Sequence, residues 1–301
     1  MKQLDPYSIV IALNHLSDVV NQTSQSNIIK DYLMPVLIVF LSSGTAYLIA
    51  QKGFRWQESA KNEKEKADTS NKLLSLFQLM QGLLAAIKVN YQNELQSNPI
   101  QRAMVIPVLA ERFPHMDIEM EKLIQVLYTT PIDQKEEPWS NISSIMSTLS
   151  NFNQLVEIIK TRNIIDERVR SKLADKLQHP HEEMKTHRII EIAGHAECMR
   201  LVDLTEMLIL FVDNLIITVD DFLRNYPTIS ARVIKMEYLI NYTVIQDYRN
   251  DSESFSLLIN RCIDVDFAAL AKIMGLSEIQ VKKKYTDKSF MITTKKNHLH
   301  D

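Results

Sequence analysis

The sequence predicts an all-α protein: a single N-terminal membrane-spanning helix, then a long stalk helix, then a helical bundle. Three observations carry this. Residues 32–51 hold no formal charge. Beyond them apolar residues recur at three- and four-residue steps, the period of a helix with one buried face. No segment alternates apolar and polar residues between turn signals, as a half-buried strand would.

Residues 1–31 come first, and we expect them outside the cytosol. "YSIVIALNHLSDVV" (7–20) has helical spacing but is too short to span a bilayer, so it is expected as a small helix on the membrane surface. The Asn-, Gln-, Ser- and Thr-rich stretch 21–27 reads as a linker.

The span, 32–51, follows. At about 1.5 Å per residue it covers roughly 30 Å, the thickness of the hydrocarbon layer. Pro35 stands near its start, where a missing N–H costs little. Tyr32, Tyr47, Phe54 and Trp56 lie near or beyond its ends, as interfacial aromatics do. The competing reading is a buried core helix, which seldom runs this long without a charge. Lys52, Arg55, Lys61, Lys64 and Lys66 follow the span, whereas Lys30 beside Asp31 is nearly all that precedes it. The positive-inside rule then places the C-terminal bulk in the cytosol. The apolar run begins too far from Met1 for a cleaved signal peptide, so an uncleaved anchor is expected. Ser42, Ala46 and Ala50 repeat every fourth residue, a small-residue face that lets a second helix approach and predicts a homo-oligomer.

Residues 52–98 are expected as the stalk: polar to Lys72, then amphipathic through Leu73, Leu76, Phe77, Met80, Leu83, Leu84 and Ile87. Residues 99–250 are expected as the bundle, its earlier helices punctuated by Pro99, Pro107, Pro114, Pro131 and Pro138, with "QKEEP" (134–138) as a loop. The sequence suggests one long helix from Pro180 to Pro227 and another over 229–248. Asp213 interrupts "LILFVDNLIITV" and argues against a second span. Residues 251–301 are expected as a separate C-terminal segment with a basic tail.

Composition excludes several chemistries. Net charge is −3, which gives no global attraction to nucleic acid. The five glycines are scattered, so a Gly-rich phosphate loop is absent. Cys198 and Cys262 suit a reducing compartment and argue against a disulfide framework. "HAE" at 195–197 is half of a zinc deaminase signature without its Pro-Cys-x-x-Cys partner. Glu183, His187, Glu191, His195 and Cys198 fall on one helical face, with His179 and His181 upstream, but no second ligand cluster closes a metal site. No metal, cofactor or small-molecule ligand is therefore expected, nor a catalytic triad.

Three segments resemble known families. "LSNFNQLVEIIKTRNIIDERV" (149–169) is similar to a pattern in bacterial single-span, membrane-anchored helical families of unknown function; this implies a bacterial inner-membrane protein and carries over no catalytic residue. "RIIEIAGH" resembles the Arg–His pair of HEPN-type ribonucleases, which implies Arg188 as a phosphate-contacting cation and His195 as general acid or base; Ile189 stands where a polar residue often follows the Arg. "DFAALAKIMGLSEIQVKKKY" (266–285) resembles a helix-turn-helix through Ala271, Gly275 and Val281, with Leu270 and Leu276 completing a small core. That resemblance implies nucleic-acid contact through a second helix capped by Ser277 and bearing Gln280, Lys282, Lys283 and Lys284, with Lys288, Lys295 and Lys296 beyond. The function expected first is a self-associating scaffold or effector facing the cytosol, in a stress or phage-defence setting. A membrane-tethered nucleic-acid binder and a HEPN-like ribonuclease are the alternatives, and an enzyme is the less favoured class.

Overall fold

The structure, a computed structural model, describes residues 6–21, 29–109, 112–127, 137–176, 185–245, 248, 250–289 and 291–292. Among these residues the regular structure is all helical, with no strand. The "QKEEP" loop, apart from Glu137 and Pro138, lies outside the described residues, as do His179, His181, Glu183, Lys295 and Lys296.

The chain divides into two compact units, one made of residues 1–64 with 236–241, the other of 65–235 with 242–301. In the first unit, α1 covers Pro6–Asn21. A single π-helical turn, Ile29–Leu33, leads into α2, Met34–Val89, which continues into the second unit. The charge-free section of α2 is uncovered: Phe40 is 74% exposed and Val39 62%. Its hydroxyls are satisfied within the helix, Ser42 Oγ donating to the Val39 carbonyl (3.0 Å) and Thr45 Oγ1 to that of Leu41 (2.9 Å). A core helix would bury this section, so that reading is set aside.

In the second unit, Leu73, Phe77, Met80, Leu84 and Ile87 of α2 are buried, with Leu76 and Leu83 packed at the edge of the same core. The amphipathic half of the expected stalk is thus a bundle helix. Asn98 caps α3 (Pro99–Val105), accepting from the N–H of Ile100 and Gln101, with Pro99 at the position where a missing donor is harmless. α4 spans Met120–Leu127. α5, Ile142–Ala174, starts at the cap Asn141 and packs along α7.

The polar residues of α5 explain the segment 149–169. The Asn163 side chain accepts from the Leu109 N–H (3.2 Å) and donates to its carbonyl (2.8 Å). Asn153 does the same for Met116 (both 2.9 Å). Arg162, fully buried, donates to the carbonyls of Ala103, Ile106 and Pro107. These side chains satisfy backbone groups in the last turn of α3 and in the non-helical chain between α3 and α4, which would otherwise be costly to bury. The segment is a structural staple.

The expected helix from Pro180 to Pro227 is broken, and it ends elsewhere. α6 covers Thr186–Ala193, Gly194 takes φ 95°, and α7 runs His195–Val233. A positive φ is open to glycine at little cost, so the residue that looked incidental within a helix ends one. α7 continues through Pro227 because Tyr226, Pro227, Ile229, Ser230 and Val233 are all buried; their packing outweighs the roughly 3 kcal/mol a helix-internal proline costs. Among the described residues of 229–248 no α-helix continues beyond Val233: Ile234 turns extended, Met236–Tyr238 forms a single 3₁₀ turn, and Asn241 takes φ 59°.

Two cores result. In the larger, Phe77 stacks on Phe222 (ring centres 3.7 Å apart), Trp139 meets Phe222 edge-on, and Phe222 stacks on Tyr226. The Trp139 Nε1–H donates to Asp221 (2.7 Å). The smaller core joins Ile100 of α3, Val169 of α5 and Val202 of α7 to Leu270 and Val281. The last two belong to α9 (Phe267–Met274) and α10 (Glu278–Tyr285), preceded by α8 (Glu253–Ile259). α8, α9 and α10 therefore share a compact unit with the bundle.

Candidate functional site

The small-residue face lies on the uncovered part of α2. Ser42, Ala46 and Ala50 are exposed there, at the spacing of one helical face. No side chain stands within 4 Å of the space a Cβ would fill at neighbouring Gly44.

Arg188 and His195 do not share a helix. Arg188 is on α6 and His195 begins α7, with the Gly194 turn between them, and both are exposed. The one-helix geometry that the ribonuclease resemblance implies is absent from this chain. The same break divides the row of possible metal ligands, leaving His187 and Glu191 on α6 and Cys198 on α7. Cys198 is buried; its thiol is pushed up first by that burial and then by nearby Glu197, and it donates to the Ile189 carbonyl. Among the described residues no His, Cys, Asp and Glu side chains are grouped to hold a metal ion.

α9 and α10 form the expected pair of short helices. Gly275 takes the left-handed conformation (φ 64°, ψ 31°), Asp266 caps α9, and Ser277 and Gln280 close a capping box on α10. Leu270 and Val281 are buried as expected, but Leu276 is 41% exposed and Tyr285 fills the core in its place. The side chains proposed for nucleic acid are partly committed inside the chain. Ser277 and Gln280 bond to each other. Lys284 Nζ bonds to Asp203 of α7 (2.6 Å), and Lys282 Nζ lies over the Phe267 ring. Burial and the adjacent Asp203 carboxylate push the Tyr285 phenol far above its ordinary range.

Among the described residues, buried charge gathers around α7 at Glu206–Asn214. Lys88 Nζ sits 2.6 Å from Asp213 with both side chains out of water, and it also donates to the Asn260 carbonyl (2.6 Å). Arg102 makes a two-pronged contact with Glu206 (2.7 and 3.1 Å). Its third nitrogen reaches the carbonyls of Gln96 and Ile263. Asp213 further accepts from the Cys262 N–H (2.9 Å), and Arg261 bonds to Asn214. Arg102, Glu206, Asp213, Arg261 and Cys262 border a cavity of about 50 Å³ lined also by Asp264 and Tyr285.

The electrostatics of this cluster point away from nucleophilic work by its thiol. Burial, then Asp213, pushes the Cys262 thiol up to about 12, so it stays protonated and poorly nucleophilic. Burial also raises the carboxyl of Glu206 against the opposing pull of Arg102, and it holds the Tyr91 phenol well above its ordinary range. Asp213 and Glu206 each have a cation on them. The arrangement fastens α2, α3 and the chain after α8 to α7.

Sequence reasoning missed this cluster, although Asp213 signalled it. An acid inside an apolar helix run requires a buried partner. The sequence does not show which basic residue supplies it. Comparison with known proteins finds no matching family model, no matching curated protein and no matching solved structure.

Proposed function

We propose that the chain is a single-span protein of a bacterial inner membrane, anchored through residues 32–51, which works as a self-associating scaffold or effector. Residues 1–31 lie outside and the helical bundle lies in the cytosol. The observation that carries this reading is the contrast within α2. Its charge-free section leaves Phe40, Val39, Tyr47 and Leu48 more than half exposed, whereas its amphipathic section is buried in the bundle. A soluble protein has no reason to leave some 30 Å of apolar helix uncovered, and a bilayer covers it.

Two further observations support an interaction role. The exposed Ser42, Ala46 and Ala50 face suits close helix–helix packing. The buried charges of the bundle are engaged with one another, as in a structural framework. The test is extraction. The full chain should stay with membranes through an alkaline carbonate wash and leave them only in detergent. A chain lacking residues 32–51 should appear in the soluble fraction. Release of the full chain by carbonate alone would overturn the proposal.

A further inference from the structure

The turn Met236–Asn241 interrupts a stretch that otherwise belongs to the bundle, yet it packs with the N-terminal unit. Its Tyr238 ring lies 6.3 Å from the ring of Trp56 on α2. The 3₁₀ turn, closed by the Leu239 N–H on the Met236 carbonyl (3.0 Å), and the left-handed Asn241 keep the turn tight, so its side chains stay near the level of Trp56. Around that level the apolar exposure is large for so few residues: Phe54 72%, Ile240 72%, Trp56 46% and Met236 42%. Lys52 and Arg55, also exposed, lie between the end of the charge-free run and Trp56. The turn itself carries one acid, Glu237.

The depth of this collar identifies what covers it. Trp56 follows Gln51 by five residues, about 7.5 Å along a helix at 1.5 Å per residue. The headgroup layer on each side of the hydrocarbon core is roughly 5–8 Å thick. Tryptophan and tyrosine concentrate at that level, with lysine and arginine reaching lipid phosphate.

We infer that Met236–Asn241 is a second membrane contact. Ile240 and Met236 lie at the level of Trp56 within the headgroup layer of the inner leaflet, where Lys52 and Arg55 meet lipid phosphate. The partner is a phospholipid surface. This contact rests on the anchor reading above, and the test separates the two.

The full chain carrying Ile240→Cys is labelled with an environment-sensitive fluorophore and reconstituted in liposomes of phosphatidylcholine and phosphatidylglycerol. A Leu48→Cys chain, with its label inside the span, is prepared in parallel. The wild-type chain gives the labelling blank, since Cys198 is buried and Cys262 partly so. Lipids bearing a nitroxide just below the headgroup then serve as quenchers. We expect both labels to lose fluorescence, and the Ile240 label to shift to the blue on reconstitution. Quenching at Leu48 with a water-like, unquenched label at Ile240 would overturn the second contact and leave the anchor standing. Absence of quenching at both positions would overturn both.

Discussion

Lys88→Ala is the substitution that best probes what holds the bundle together. Lys88 is completely buried, and its ammonium bridges the Asp213 carboxylate and the Asn260 carbonyl, both at 2.6 Å. Truncation leaves Asp213 in an apolar helix stretch with only the Cys262 N–H and thiol as partners. Removing one member of a buried pair costs about 3–5 kcal/mol, chiefly because the remaining charge is left uncompensated. The lost contact to Asn260 adds roughly 1 kcal/mol. For a unit of this size each kcal/mol moves Tm by about 2–4 °C, so a fall of roughly 10 °C or more is expected. Unfolding of the detergent-solubilised chain can be followed by far-UV circular dichroism and by tryptophan emission, since Trp139 is buried against Asp221. Replacing both partners, Lys88→Met with Asp213→Leu, removes the stranded charge and should recover most of the loss. A single variant within about 1 kcal/mol of wild type would refute the reasoning. So would a double variant no better than the single.

Two other outcomes follow from named contacts. Ala46→Ile should lower the oligomeric state in detergent without lowering membrane content, because it fills the small-residue face while suiting lipid at least as well; light scattering reads the mass. Leu48→Ile should change neither, and a wild-type mass for the Ala46 variant would make the span a simple anchor. Cys262, with its thiol held up at about 12, should react with iodoacetamide near pH 8 on the order of a thousandfold more slowly in the folded chain than in denaturant. The same upward shift favours the protonated, folded state, so its contribution to stability is full below the ordinary thiol range and is lost as pH rises from about 9 towards 12. Fast alkylation of the native chain would contradict this environment.

The parts of the fold legible in the sequence are those that local pattern controls. The charge-free run of α2 and the spacing of Leu73, Phe77, Met80, Leu84 and Ile87 gave the helix and its buried face. Ser277 and Gly275 gave the cap and turn between α9 and α10. What local pattern misread depended on distant packing. Gly194 breaks a helix that periodicity would continue, and Pro227 fails to end one because its neighbours are buried. Tyr285 replaces Leu276 in the smaller core because it reaches Asp203 across α7. Apart from Asp213, the charged cluster was hidden for the same reason: Lys88, Arg102 and Glu206 are each ordinary in their own segments and find their partners only in the folded bundle. Arg188 and His195 show the converse, since their neat spacing in sequence is divided by the single glycine between them.

Leu73 and Ile87 of α2 are buried in the bundle, with Leu76 and Leu83 partly buried beside them. The anchor through residues 32–51, and the side of the membrane on which the bundle lies, are the claims on which the account turns. Reporter fusions in a bacterial host measure both. An enzyme active only in the periplasm, fused ahead of Asn27, should be active, and the same enzyme fused after Asp301 should be silent, as the excess of Lys and Arg following Ala50 requires. Activity at the C-terminal fusion with silence at the N-terminal one would place the bundle outside the cytosol and contradict the account.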